Sequence, residues 1–256
     1  MTTRPPGSAI RKRLVGLVVL GVVVLAASTP SGLRFLAHWG VRGAEALRPG
    51  VESDKPHDPA LYGQREVADI VGLMDHVGVE RAHLVGYSHG SRLSQHALDR
   101  FPERFITATL GGYGSRPDGS GPMESLSRDR AADSLRAGSL GPIIRALTPP
   151  PASPSRRTVA VANGVISARN DMLALAAAFQ AEPPPLPPVR NARITVPTLM
   201  LIGELDDVAG AESLTGMMPD ARMHVVPEAG HLGAPGTTDF DETLVGFLRA
   251  RASGQP

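Results

Sequence analysis

The chain contains no cysteine. That absence excludes disulfides, thiolate metal sites and a cysteine nucleophile, and it leaves the redox compartment unread. An excess of charge of either sign is missing as well. With 26 basic against 25 acidic residues the formal charge is +1, so no long-range field favours nucleic acid or an acidic partner. Internal repeats and coiled-coil heptads are absent too. Glu204, Asp206 and Asp207 crowd one stretch, but no histidine stands beside them, so a solvated loop is expected there and no metal. Proline, in contrast, is abundant: 24 residues, clustered in "TPPPASP" (148–154) and "EPPPLPP" (182–188).

A run long enough to span a membrane is also lacking. Residues 14–27 are uncharged and apolar, but they fall short of the ~18 to 20 residues a spanning helix needs. Arg11, Lys12 and Arg13 precede the run and "TPSG" follows it, the order of a secretory signal or anchor. Residues 1–30 are therefore expected to target the chain, leaving it membrane-anchored or secreted. The competing reading is a covered strand, because valine dominates Val22 to Leu25.

From residue 60 onward helix and strand alternate. "REVADIVGLMDHVG" (65–78) sets Val67, Ile70, Val71 and Met74 at helical spacing and ends on Gly78, a natural stop. "AHLVGY" (82–87) reads as a strand, "SRLSQHALDRF" (91–101) as a helix stopped by Pro102, and "FITATLGG" (105–112) as the next strand. Strand, helix and strand at this spacing imply a parallel crossover. "ITVPTLMLIG" (194–203) and "ARMHVVP" (221–227) are further strands, and "FDETLVGFLRARA" (240–252) is a closing helix. Residues 115–193 interrupt the alternation and read as a helical cap inserted into a core made of residues 31–114 and 194–256.

The chemistry is expected at "LVGYSHGSRL" (84–93). A serine hydroxyl is a poor nucleophile until a base removes its proton, so it must be held exposed and close to an imidazole. A sharp strand-to-helix turn supplies the exposure and needs small residues two before and two after the serine, as Gly86 and Gly90 are around Ser88. The helix start also aims the backbone N–H of His89 at a developing oxyanion, while the His89 ring is expected to be partly exposed. His231 in "PEAGHL" and Asp206 in "GELDD" each follow an apolar strand, as a base and its orienting carboxylate should. His38, His57, His76, His83, His96 and His224 lie in no such motif.

Ser88, Asp206 and His231 in that order resemble the α/β-hydrolase family. "ESDKPHDPALYG" (52–63), "VPTLMLIGELDD" and "PEAGHL" are similar to that family's segments after the fourth strand, at the acid and at the histidine. The resemblance implies a cofactor-free serine hydrolase, carboxylesterase-like, acting on a small ester-like substrate through an acyl-enzyme. Its fold would be a mostly parallel sheet flanked by helices, with a helical cap. Two departures accompany it. No "HGxxG" loop stands where the family finds its second oxyanion donor, and the family's early strands are expected to be missing. "HWGVRG" (38–43) is a faint match, and a second alignment puts Ala26 and Ala27 of "VVVLAASTPSG" in that place. A weakly active relative, or a membrane-anchored module presenting its proline runs to aromatic grooves, is the alternative. No cofactor, metal or nucleic acid is expected, and substrate and oligomeric state are not legible.

Overall fold

The computed structural model describes residues 22–26, 55–76, 78–121, 126–148, 154–167 and 170–252. Helix α1 (Gln64–His76) buries Val67, Ile70, Val71 and Met74, and Gly78 turns the chain out of it at φ 71°. That φ lies in the left-handed region, which glycine enters at little cost. Strand β2 (Ala82–Tyr87), helix α2 (His89–Arg100) and strand β3 (Phe105–Gly111) follow, each within a few residues of the sequence expectation. The chain next forms α3 (Arg128–Arg136), α4 (Gly141–Ala146), α5 (Arg156–Ser167), α6 (Met172–Ala181) and the short α7 (Pro188–Asn191). It then returns to the sheet through β4 (Thr198–Gly203), α8 (Val208–Met217), β5 (Ala221–Val226) and α9 (Thr238–Ala252).

Strands β2 to β5 pair in parallel and in chain order, with β1 (Val22–Ala26) outside β2. Side chains alternate across the pleat, so β4 sends Met200 and Ile202 to one face and Leu199 and Leu201 to the other. The first face packs on α1, α2 and α8, and the second on Phe240, Leu244, Phe247 and Leu248 of α9. Strands covered on both faces explain why β4 reads as a continuous apolar run: all six of its residues are buried. Helices α3, α4 and α6 bury a cluster of their own around Leu135, Ile143, Ile144 and Ala176.

β1 corrects one expectation. It runs antiparallel to β2, with Val22 opposite Gly86 and Ala26 opposite Ala82. Ala26 therefore lies at the end of β2 remote from Ser88, about 20 Å away at ~3.3 Å per residue. A strand delivers its following loop to the serine's end of the sheet only if it runs parallel, so the alignment of Ala26 with the second oxyanion donor fails. "HWGVRG" lies outside the described residues. Val22–Ala26, part of the run read as a targeting segment, forms a strand as the competing reading had it, and residues 1–21 lie outside the described residues. Among the described residues no helix is long and apolar enough to cross a membrane.

The second proline run is not a free ligand. Pro183 is buried, its carbonyl accepts from Arg92 Nη1 at 3.4 Å, the Pro184 carbonyl lies 2.9 Å from His96 Nε2, and Leu186 enters the core. Asn191 continues the strap with a 2.7 Å hydrogen bond from Gln95. This packing buries a polar helix on nearly every side. In α2 all residues from His89 to Leu98 are buried, although they include His89, Arg92, Gln95 and His96.

Candidate active site

Ser88 stands between β2 and α2 with φ 55° and ψ −120°, a strained conformation for a residue with a side chain. The neighbouring strand holds it there. Ser88 N and Ser91 Oγ both donate to the Gly111 carbonyl, each at 2.8 Å. A Cβ on Gly86 would lie 2.5 Å from the Gly90 carbonyl oxygen and 2.6 Å from Ser94 Oγ, so the turn closes only with glycine at that place. The first N–H groups of α2, including that of His89, have no acceptor within the helix.

The acid and the histidine come from loops after β4 and β5, and Gly203 brings those loops together. A Cβ there would lie 2.2 Å from the Ala229 carbonyl oxygen. Glu204 N donates to the Val226 carbonyl and Leu205 N to the Ala229 carbonyl, both at 2.9 Å. The result is a continuous chain of side chains. Asp206 Oδ2 lies 2.8 Å from His231 Nδ1, and His231 Nε2 lies 2.9 Å from Ser88 Oγ. The other oxygen of Asp206 accepts from Asp207 N at 2.8 Å, which fixes the carboxylate plane. The three residues expected from sequence are brought together, with His231 only 6% exposed.

Asp207, next to the acid, is otherwise engaged. Its carboxylate accepts from Gly210 N at the start of α8 and pairs with Arg116. Glu204 accepts from Glu228 N at 2.8 Å. Tyr87 is a contact the sequence did not signal. Its hydroxyl donates to the His231 carbonyl at 2.6 Å, and its ring lies 5.5 Å from the imidazole. Burial, and then the Asp206 charge, push the phenol above its ordinary range, so it remains a donor.

An imidazole hydrogen-bonded to a hydroxyl on one side and a carboxylate on the other can take the hydroxyl's proton while its ring stays oriented. A model of the alpha/beta hydrolase family matches residues 21–243. The chain belongs to this family. A Bacillus subtilis (strain 168) protein named "Putative 2-succinyl-6-hydroxy-2,4-cyclohexadiene-1-carboxylate synthase" is 28% identical over 200 residues, 70% of each chain. Among solved structures, this hydrolase is similar to MGS-M2, an alpha/beta hydrolase enzyme from a deep-sea metagenome library of the Medee basin. The TM-score is 0.54 at 17% identity, covering 76% of this chain and 73% of that one. It is similar also to Est816, described as an N-acyl homoserine lactone degrading enzyme, with a TM-score of 0.55 at 22% identity over 77% and 78% of the two chains. At such identities the likeness is one of fold.

The His89 ring departs from expectation. It is 9% exposed instead of partly open, and it lies against Glu182 and Glu66, with Phe179 stacked over it at 6.3 Å. The sequence carried one signal for this. A helix as polar as α2 can be buried only if its charged side chains find partners.

Proposed function

We propose that this hydrolase cleaves a small ester-like substrate, carboxylesterase-like, with Ser88 as nucleophile, His231 as base and Asp206 as the orienter of the base. One observation carries the reading: the hydrogen-bonded chain from Asp206 through His231 to Ser88. Ser88 Oγ adds to the substrate carbonyl while His231 Nε2 takes its proton. The oxyanion that forms accepts from the His89 N–H. His231 then gives the proton to the leaving alcohol, and the acyl group stays on Ser88. Water, deprotonated by His231, adds to the acyl carbonyl; the acid leaves and the serine regains its proton. The helices between β3 and β4 form the cap over this site and shape its specificity.

A second reading, a weakly active family member, is favoured by the antiparallel β1, which carries Ala26 away from the serine. Losing one of two oxyanion donors costs about 10² to 10³ in turnover. A fluorophosphonate probe, which bonds only to activated serines, tests the reading directly. The expected adduct lies on the peptide carrying Ser88 and disappears in Ser88→Ala. Labelling that persists unchanged in Ser88→Ala overturns the assignment of the nucleophile.

A further inference from the structure

Four ionisable side chains meet under cover around the His89 ring, and none has a part in the steps above. Glu66 comes from α1, Arg92 from one turn further along α2, and Glu182 from the end of α6. His89 Nδ1 lies 3.0 Å from Glu182 Oε1, and His89 Nε2 lies 3.7 Å from Glu66 Oε2. Arg92 Nε approaches the same Glu182 oxygen at 3.3 Å, and Gly63 N donates to Glu66 at 2.8 Å. Arg128 of α3 is a further cation felt by Glu182.

Stability alone does not account for such a cluster. Replacing a buried ion pair by apolar residues of similar volume is often neutral or stabilising, so burying charges is a poor way to gain stability. What charges supply is register, because they pair only in one arrangement. Here the arrangement joins three separate stretches of chain at the residue that follows the nucleophile. The backbone N–H of that residue is the oxyanion donor of the proposed reaction, and a donor is effective only if held in place beforehand.

We propose that Glu66, His89, Arg92 and Glu182 form an ionic clamp that locks the end of α6 onto the nucleophile turn, making His89 a positioning residue for the oxyanion peptide. The proposal rests on the assignment of Ser88 as nucleophile. The clamp is neutral when His89 carries its proton, with two carboxylates against two cations. Burial by itself pushes His89 down, but the hydrogen bond to Glu182 and the nearby charges of Glu182 and Glu66 outweigh it and lift the group to about 9. Burial pushes Glu182 up, while the bond to His89 and the Arg92 charge more than offset it and hold the group below its ordinary 4.5.

The sign follows from which protonation state is bound. A raised histidine contributes fully below its ordinary 6.5 and loses its contribution as pH rises through about 9. A depressed carboxylate contributes above 4.5 and loses its contribution as pH falls below that. The clamp is therefore closed at neutral pH and opens on the alkaline side.

The test uses the full chain, with the rate of phosphonylation of Ser88, turnover of p-nitrophenyl butyrate, and histidine NMR titration from pH 5 to 10. A histidine titrating at about 9 is expected, and it should move down by more than one pH unit in Glu182→Gln, which keeps the side chain's shape but not its charge. Glu182→Ala should lower kcat by about tenfold with a smaller change in KM, the scale of a displaced group, and Glu182→Gln should recover part of that loss near pH 6. Should Glu182→Ala not fold, the NMR titration and the pH profile of Glu182→Gln decide alone. A native chain with no histidine titrating near 9 overturns the clamp. So do folded variants whose phosphonylation rate and alkaline limb match the native chain. A native chain in which Ser88 is never phosphonylated overturns instead the proposed function, so the two failures are told apart.

Discussion

His231 and His89 are two buried histidines beside one serine, 6% and 9% exposed, and each has a carboxylate within 3.0 Å of Nδ1. What separates them is the second nitrogen. His231 Nε2 meets the Ser88 hydroxyl, whereas His89 Nε2 faces a second carboxylate, that of Glu66. One carboxylate orients an imidazole and leaves its far nitrogen open to exchange a proton. Two carboxylates favour the charged form of the ring, and in the proposed clamp a ring so held is a cation and not a base. Residue type and burial are the same in both places, so the partners alone assign the role.

The comparison breaks most sharply at His231, the proposed base. His231→Ala and Ser88→Ala should each lower kcat on p-nitrophenyl butyrate by about 10⁶-fold, as in a protease whose triad acts as one unit. A residual rate within about tenfold of native in either variant would show that the chain of hydrogen bonds is not the reacting one. Asp206→Asn leaves the base present with its ring misdirected, and the expected loss is smaller, about 10⁴-fold in kcat.

Changes at His89 should act on stability first. Because its folded group sits at about 9 against an ordinary 6.5, unfolding free energy should fall as pH rises from 6.5 through 9, with the unfolded chain binding fewer protons. Urea unfolding at pH 6, 8 and 9.5 measures this directly. In His89→Gln, which cannot titrate, the decline over that window should be absent, and a decline equal to the native one would assign it to other groups. The smallest effect is expected at Tyr87→Phe, which removes the hydroxyl bound to the His231 carbonyl. A loss of about 0.5 to 1.5 kcal/mol in stability is expected, with a few-fold drop in kcat as the histidine loop loosens. An unchanged kcat at reduced stability would show that the loop is held by Gly203 and its neighbours without the tyrosine.

The turn at Ser88 was legible because its requirement is local. Gly86, Ser88 and Gly90 stand in one short stretch, and the collision that a Cβ on Gly86 would make is with residues only four and eight positions on. Asp206 and His231 were legible for a related reason, since Asp206 follows β4, buried along its whole length, and His231 follows the partly buried β5, whose apolar ends still mark it as a strand. The clamp was not legible. Glu66 and Glu182 are 23 and 93 residues from His89, and nothing in their own neighbourhoods marks them. The direction of β1 was equally closed, because a run of valines suits a parallel and an antiparallel partner alike.

Periodicity and turn chemistry depend on neighbours along the chain, so the sequence by itself determined helices α1, α2 and α9, strands β2 to β5, the parallel crossover from β2 to β3, and the glycine-flanked serine, while α8, the individual helices between β3 and β4 and the order of the sheet emerged only in the fold. Which histidine meets the serine and which lies between two carboxylates depends on groups brought together from distant parts of the chain. The same holds for where β1 delivers its loop and for which surface covers the polar side of α2. Those outcomes were decided only in three dimensions, because electrostatic partners and strand neighbours are chosen by distance in space, and burial makes that choice costly to reverse.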